Sequence, residues 1–428
     1  MRHTRSRTAA YAAGCLALLA VAFAGCGGGG SSSSEGVTKT TITIGSHQPL
    51  TGPAAPGYSE IAPAAKAYFS YVNANGGVNG RKIDYIYKDD GYNPTNTVSV
   101  TKQLVLQNKV FAIFNGLGTP THTKVLDYLN TQKVPDLFVA SGCACWDDGG
   151  AHPWTFGWQT NYKIEGKILG QYLKQHFAGK KIAVFYQGDD FGKDGLAGVK
   201  QEIPASQIVT AQAYEPGNTN VGPQISAIQK SGAQVMVDFT VPAYTALGQL
   251  ASFKLGYKPQ LVVSNVGIDP TTVGGLLKAF SKGKADTALI EGAISDIYLP
   301  SVNDTSNPWI QLFKKIHDKY DAKAPFDGNV QYGIAAAYTF VQALKNAGSS
   351  PTRKGIVDAI QNGLPQGPGL VPYRYSSSDH GGFSGVQIAT VKNGKIVPSG
   401  TPLTTDPASG PITPFTKAQQ APPANGIP

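Results

Sequence analysis

From about residue 39 onward the hydrophobic positions switch repeatedly between two periods. Lys39–Gly45 (KTTITIG) and Arg81–Lys88 (RKIDYIYK) alternate as strands do. Between them Ile61, Ala65, Tyr68, Phe69 and Val72 recur at helical spacing, which predicts a helix over Tyr58–Asn75 that stops at Gly76-Gly77. Pro94–Gln107 reads as the next helix. The stretch 110–145 carries the densest signal: an apolar run Val110–Phe114, a loop Asn115–Pro120, a helical stripe of Val125, Leu126 and Leu129, and a second apolar run Leu137–Ala140 ending in Ser141-Gly142. Short apolar runs that end in glycine-rich loops read as buried parallel strands. Thr119 fits the N-cap and Pro120 the first position of the helix between them. The free N–H groups of that helix start would face the same crevice as Ser141-Gly142. Open α/β sheets take ligands outside their strand ends, and helix starts suit carboxylates.

The pattern then restarts. Trp154–Trp158 is aromatic and extended and is expected to cross between lobes. Tyr162–His176 is a helix. Lys181–Tyr186, Ile208–Tyr214, Gln234–Phe239 and Gln260–Ser264 read as strands, with helices at Lys193–Ile203, Pro223–Lys230, Pro242–Leu255 and Thr271–Phe280. Two similar α/β lobes, each a parallel sheet flanked by helices, are the economical reading. Leu289–Tyr298 is a strand and a crossing. Helices Pro308–Tyr320, Gly328–Asn346 and Thr352–Asn362 follow. A meander of Tyr373–Tyr375, Val386–Val391 and Lys395–Val397 turns at Asn393-Gly394. The Pro-rich end, about Thr401–Pro428, is expected to be disordered.

Composition sharpens this picture. The 428 residues are 41% hydrophobic and 15% charged, ample for two globular domains. The formal charge is +9, and setting aside Arg2, Arg5 and Arg7 of the first 25 residues leaves 9 − 3 = +6. The remaining Lys and Arg form no run of five, which argues against nucleic acid and fits solubility or nearness to anionic lipid heads. Residues 1–25 read as an export signal: a positive start, then Ala9–Ala24, shorter than the ~20 residues of a membrane span. Phe23-Ala24-Gly25-Cys26 looks like a bacterial lipobox, with Cys26 the lipidated residue and residues 26–36 a flexible Gly/Ser tether. Cys143 and Cys145 then remain as a C-x-C pair, either two loop thiols or a bridge. With His152 they match no zinc spacing, so no metal is expected.

Catalytic signatures are missing from the sequence. There is no G-x-S-x-G, no phosphate-binding G-x-x-x-x-G-K-[ST], no H-E-x-x-H, C-x-x-C or EF-hand loop. His47, His122 and His152 approach the first crevice but read as hydrogen-bonded loop residues, and Asp89-Asp90 as a solvated turn. No enzyme and no cofactor is expected, and an exported hydrolase is the weakest alternative.

Several segments together resemble a known family: Thr51-Gly52-Pro53, the run Asn75–Lys82 (NGGVNGRK), Asp89-Asp90, Val134–Gly142 (VPDLFVASG) and Tyr186–Asp194 (YQGDDFGKD). The chain is similar over about Ile42–Val397 to the solute-binding proteins of ABC importers in the branched-chain amino acid class. The resemblance implies the type I periplasmic-binding fold, two lobes joined by three crossings near Trp158–Asn161, Ala293–Ile297 and Pro365–Val371. Lobe one would be 37–159 plus 297–364, lobe two 160–296 plus 365–403, and 404–428 a tail. It implies a small-molecule solute clamped between the lobes. The partners would be a membrane permease with its ATPase subunits and the membrane through Cys26; the receptor is expected to be a monomer.

The resemblance also suggests a ligand site. Thr119 stands at a family Ser that holds a carboxylate, and Ala140, Ser141 and Gly142 at the loop that completes the cradle. Tyr58 lies near an aromatic that follows Thr-Gly-Pro. From the second lobe, Phe191 replaces a Tyr, Val241 beside Thr240 aligns with a second aromatic, and Asn265 replaces the acid that pairs with an α-ammonium. Asp238 is the nearest substitute for that acid, and Trp146 an added apolar wall. A small carboxylate- or amide-bearing solute is thus expected, by default a branched-chain or neutral amino acid, with an aliphatic or aromatic acid lacking an α-amino group as its rival.

Overall fold

A computed structural model of the chain describes residues 34–428. The expected signal sequence, Cys26 and most of the tether lie outside the described residues. Two sheets organise the rest. The first has five strands in the order β2-β1-β3-β4-β5: β1 Thr41–Gln48, β2 Lys82–Asp89, β3 Ile113–Phe114, β4 Asp136–Val139 and β5 Thr155–Gly157, all parallel. The second is built on five parallel strands, β6 Ile182–Gln187, β7 Ile208–Tyr214, β8 Val235–Phe239, β9 Gln260–Val263 and β10 Ile294–Ile297. Antiparallel β11 (Gly385–Lys392) extends it beside β10, with β12 Lys395–Pro398, β13 Leu403–Thr404 and β14 Thr413–Pro414 at the edge. This is the α/β architecture expected. Val110–Phe114 is regular strand only at Ile113-Phe114, although Phe111 N and the Ala112 carbonyl also bond to β1. Thr155–Gly157, expected as a crossing, is the last strand of the first sheet.

The helices start where the sequence says they should. Asn161 caps Tyr162–His176 by accepting from Lys163 N and Ile164 N, and Asp327 caps Gly328–Asn346 in the same way. Gly328–Asn346 is buried on nearly every face, as an almost unbroken apolar composition requires, and packs on Ile61–Ala74 in the first lobe. The helix expected after Asn115–Pro120 is broken into Thr119–His122 and Leu126–Thr131. Gly118, not Thr119, is its N-cap. Gly118 has φ +105, a backbone that favours glycine, and Thr121 Oγ1 folds back onto the Leu117 carbonyl at 2.6 Å. The predicted hairpin turn holds, with Asn393 and Gly394 both at positive φ (52° and 69°).

The chain leaves the first sheet at Trp158–Asn161 and enters helix Tyr162–His176. It stays with the second sheet through all of β10 before the helix at Pro308. On its return it remains against β5 longer than expected: Gly157 N donates to the His380 carbonyl at 3.0 Å and Phe383 N to the Trp158 carbonyl at 3.1 Å, and only at Gly385 does it join the second sheet. The Pro-rich end is a correction. Instead of a disordered tail, it is laid across both lobes. Lys167 Nζ holds Thr405 Oγ1 and the Ala408 carbonyl at 2.9 and 2.8 Å on the second lobe. Gln419 Nε2 reaches the Pro368 carbonyl at 2.6 Å, and Trp309 Nε1 the Gln420 carbonyl at 2.7 Å. On the first lobe Tyr71 Oη and Tyr68 Oη donate to the carbonyls of Asn425 and Gly426, and Lys345 meets Pro428. Proline removes backbone donors, but its carbonyls stay free for side chains, and Ile412, Phe415 and Ile427 pack on the core. At the other end of the described chain, Ser34 Oγ accepts from Arg353 N and Glu35 pairs with the Arg353 guanidinium, also on the first lobe.

Candidate ligand-binding cleft

The carboxyl ends of both parallel sheets face one cavity of about 220 Å³. The first lobe lines it with Tyr58, Tyr92, Leu117, Gly118, Thr119, Ala140 and Tyr332. The second lobe contributes Phe191, Val241, Asn265, Val266, Ile268 and Asp296, and the crossings add Gln159, Tyr162 and Tyr298. Rings and aliphatic carbons form the larger part of the walls, with polar side chains such as Asp269, Asn329 and Gln331 set among them.

Each wall has a reason to be where it is. On the first lobe Gly118 N donates to the Ala140 carbonyl at 3.2 Å, which brings the two predicted loops together. Thr119 Oγ1 lies 2.7 Å from Ser141 Oγ. Thr119 and Ala140 therefore reach the cavity, while Ser141 stands one layer behind as the hydroxyl that orients Thr119. Gly142 also stays behind, its carbonyl taken by Tyr162 N at 2.7 Å; a Cβ there would meet the Thr160 carbonyl at 2.3 Å. Trp146, expected as a wall, is buried beneath the loop instead, its Nε1 donating to the Ser141 carbonyl at 2.9 Å and its ring edge-on to His122.

Beneath the first wall runs a buried chain of four titratable groups. Asp90 Oδ2 meets His47 Nδ1 at 2.8 Å, His47 Nε2 meets His122 Nδ1 at 2.8 Å, and His122 Nε2 meets Asp136 Oδ2 at 2.7 Å. All four are fully buried or nearly so. Burial outweighs the Asp90 carboxylate and holds His47 below its ordinary value. The loop passes directly over these rings because position 116 is glycine: a Cβ would lie 2.6 Å from both imidazoles. His47 and His122 therefore support the cleft floor. His152 lies away from it, 3.6 Å from Asp127. Asp89, read as a solvated turn, accepts from Leu50 N, Thr51 N and Gly91 N and pins the loop before Tyr58.

The second wall departs from the sequence reading in its acidic partner. Asp238 does not line the cavity; it sits in the middle of β8, fully buried, with neither oxygen hydrogen-bonded within the protein. A one-residue step along a strand turns a side chain to the other face, and Asp238 is on the wrong one. Thr240 is likewise turned inward, 2.6 Å from Thr245 Oγ1. Acid reaches the cavity from β10 instead. Asn265 N and Nδ2 both donate to Glu165 Oε1 at 2.8 Å, and Nδ2 also reaches Asp296 Oδ1 at 2.9 Å. The Asn265 amide donates to both Glu165 and Asp296 and holds the two carboxyls close together. Burial, then the Glu165 charge, pushes the Asp296 carboxyl well above the usual carboxylate range, and burial raises Glu165 as well. Two buried carboxyls held close together share a proton rather than both ionising. The sequence carried a signal for both. Glu165 stands one residue after Ile164 and three before Ile168 on a buried helix face, and Asp296 interrupts an apolar strand.

Hydrogen bonds also run between the lobes around the cavity. Tyr58 Oη donates to the Val266 carbonyl at 2.9 Å, Gly328 N to Asp269 Oδ2 at 3.1 Å, Asn329 Nδ2 to Thr272 Oγ1 at 3.0 Å and Ala144 N to Asp194 Oδ2 at 2.9 Å. Cys143 and Cys145 are joined to each other beside this last contact.

Two lobes with sheet ends converging on one cavity between them define a type I periplasmic-binding fold. The periplasmic binding protein family model matches residues 41–395, and the chain belongs to that family. It is 24% identical over 377 residues to Leu/Ile/Val-binding protein homolog 3 of Brucella melitensis biotype 1, covering 83% of this chain and 93% of that protein. Among solved structures it is similar to a branched-chain amino acid ABC transporter protein from Thermus thermophilus with bound valine (TM-score 0.74, 20% identity, 87% of this chain and 98% of that one). It is also similar to a fatty acid ABC transporter substrate-binding protein from Thermomonospora curvata (TM-score 0.76, 23% identity, 90% and 98%). The fold of these solved structures and the family match agree: the chain is a periplasmic binding protein. No helix among the described residues is long and apolar enough to cross a membrane.

Proposed function

We propose that this protein is the lipid-anchored receptor of an ABC importer, held at the outer face of the cell membrane through Cys26. It acts as a monomer, closes two lobes around a small carboxylate-bearing solute, presents the closed form to a permease with its ATPase subunits, and alters nothing chemically. The observation that carries this reading is the cavity between the lobes, with Thr119 on the first wall and Asn265–Asp296 on the second. A solute touching both walls adds contacts available only in the closed form and shifts the population towards it.

A neutral or branched-chain amino acid fits these walls. Its carboxylate meets Thr119, its side chain the rings of Tyr58, Phe191 and Tyr332, and its ammonium the Asp296–Glu165 pair. An ammonium buried without an anion costs several kcal/mol, and the pair supplies one negative charge once a proton is shared. The name of the Brucella relative supports this choice. One observation favours a second reading: an Asp296 that keeps its proton also suits an aliphatic acid without an amino group, and the name of the Thermomonospora protein points the same way.

Calorimetry and thermal shift with leucine and 4-methylpentanoate, each at pH 5 and pH 8, separate the two. A true ligand at about 100 times Kd adds about 2.7 kcal/mol of stability. Leucine is expected to bind more tightly at pH 8, because protonation of the carboxyl pair at low pH removes the charge its ammonium needs. Binding of 4-methylpentanoate alone selects the second reading. No response to either, or to a wider panel of acids and amides, defeats the receptor reading itself.

A further inference from the structure

The lysines that are scattered along the sequence are gathered by the fold of the second lobe. Its strands β6 to β10 are parallel, and their carboxyl ends carry the cavity. The helices between them run back, so every helix end and every turn into a strand lies at the opposite pole. Lys230, Lys254 and Lys278 occupy the last turns of three of these helices. Lys180 and Lys181 precede β6, and Lys258 precedes β9. Lys282 and Lys284 follow helix Pro270–Phe280. All eight are exposed, and none forms an ion pair among the described residues.

Three acids share this pole, and the eight lysines outnumber them. Glu202 lies 3.9 Å from Lys174, Asp286 accepts from Ala288 N at 2.9 Å, and Glu291 accepts from Asn393 N at 2.9 Å. The exposed apolar side chains gather here too. Of the five large hydrophobic residues that stand out in solvent among the described residues, Phe253 (58%), Phe280 (46%) and Leu255 (39%) belong to this pole. The helix dipole accounts for a lysine in a last turn. It does not account for lysines in the turns, nor for two phenylalanines left in water.

We propose that this pole rests on an anionic lipid surface, with the lysines over the headgroups and Phe253, Leu255 and Phe280 dipping between them. Charge complementarity selects the partner: lysines near an anionic leaflet add their attractions, which fade within a Debye length of ~8 Å at physiological salt. Exposed rings set among basic residues bury their apolar area at the headgroup boundary. The cavity is at the other end of the same strands and stays open to solute. The contact is independent of acylation at Cys26.

The test uses the mature chain from Gly27 onward, so that neither the export signal nor an acyl chain at Cys26 contributes, and co-sedimentation with vesicles of phosphatidylcholine with or without phosphatidylglycerol. One variant reverses the pole (Lys254→Glu, Lys258→Glu, Lys278→Glu, Lys282→Glu). A second makes the same charge change on the first lobe (Lys39→Glu, Lys109→Glu, Lys124→Glu, Lys133→Glu). A third is Phe253→Ser with Phe280→Ser. All substituted residues are exposed, and a thermal melt checks folding. Binding is expected only with phosphatidylglycerol, weakening at high salt, falling at least about tenfold on pole reversal and little on first-lobe reversal. The serine variant should lose several-fold. Equal losses from the two reversals, equal binding to phosphatidylcholine alone, or indifference to the serine substitutions would overturn the proposal. Capture by an acidic protein with no vesicle binding would overturn it as well.

Discussion

Asp238 shows most plainly what a single side chain costs in this fold. Burial with no hydrogen-bond partner pushes its carboxyl well above its ordinary value of 3.8, so it stays protonated in the folded protein. The unfolded chain ionises it near 3.8. The penalty is therefore absent below that pH and grows as pH rises, at about 1.4 kcal/mol for each unit of displacement. Asp238→Asn should raise the melting temperature at pH 7, with the gain shrinking towards pH 4; a gain that does not change with pH would contradict this account. At this scale the sequence disclosed the first wall better than the second. Thr119 and Ala140 were legible because loop chemistry at a strand end is local. Asp296 was not, because its place depends on β10 lying beside β9, a pairing between residues more than thirty positions apart. The same limit put Asp238 on the wrong face of β8: alternation is legible along a strand, but which face meets the cavity is set by the neighbouring lobe.

Elements were read more reliably than side chains. Tyr162–His176, Ile208–Tyr214, Pro308–Tyr320 and Gly328–Asn346 begin and end where periodicity and capping place them. The helix expected after Asn115–Pro120 starts one residue early, at the glycine-only conformation of Gly118, and is interrupted between His122 and Leu126. What periodicity does not announce is how closely two elements approach. Helices Tyr162–His176 and Asp190–Glu202 meet along glycines: a Cβ on Gly166 would lie 2.2 Å from the Gly195 carbonyl, and one on Gly198 2.3 Å from the Lys163 carbonyl. This seam holds the helix that carries both Tyr162 and Glu165 to the cavity. Gly166→Ala should cost about 1–3 kcal/mol in urea unfolding, the usual range for overpacking a filled interface. It should also weaken ligand binding by displacing Glu165. A substitution without effect on either would show that the two helices have slack between them.

Across the whole molecule, the lobed architecture follows from the restart of the βα pattern near residue 160, and the family-specific segments agree with it. The tail does not follow from its composition. Segments rich in proline and poor in backbone donors usually stay unfolded, yet this one satisfies side-chain donors on both lobes, a set of partners far away in sequence. Ending the chain at Thr416 removes the acceptors of Trp309, Tyr68 and Tyr71. At roughly 1 kcal/mol for each net hydrogen bond, equilibrium unfolding should fall by about 2–3 kcal/mol. An unchanged urea midpoint would mean the strap contributes nothing.

The strap also brings Pro428 back to the lobe that holds Ser34 and Glu35. Fluorophores attached at these two ends would ride on one rigid half and give a constant energy-transfer signal whatever the other half did. A useful optical reporter of solute uptake needs one dye at the C-terminus and the other on the outer surface of the second half, for example at Lys193.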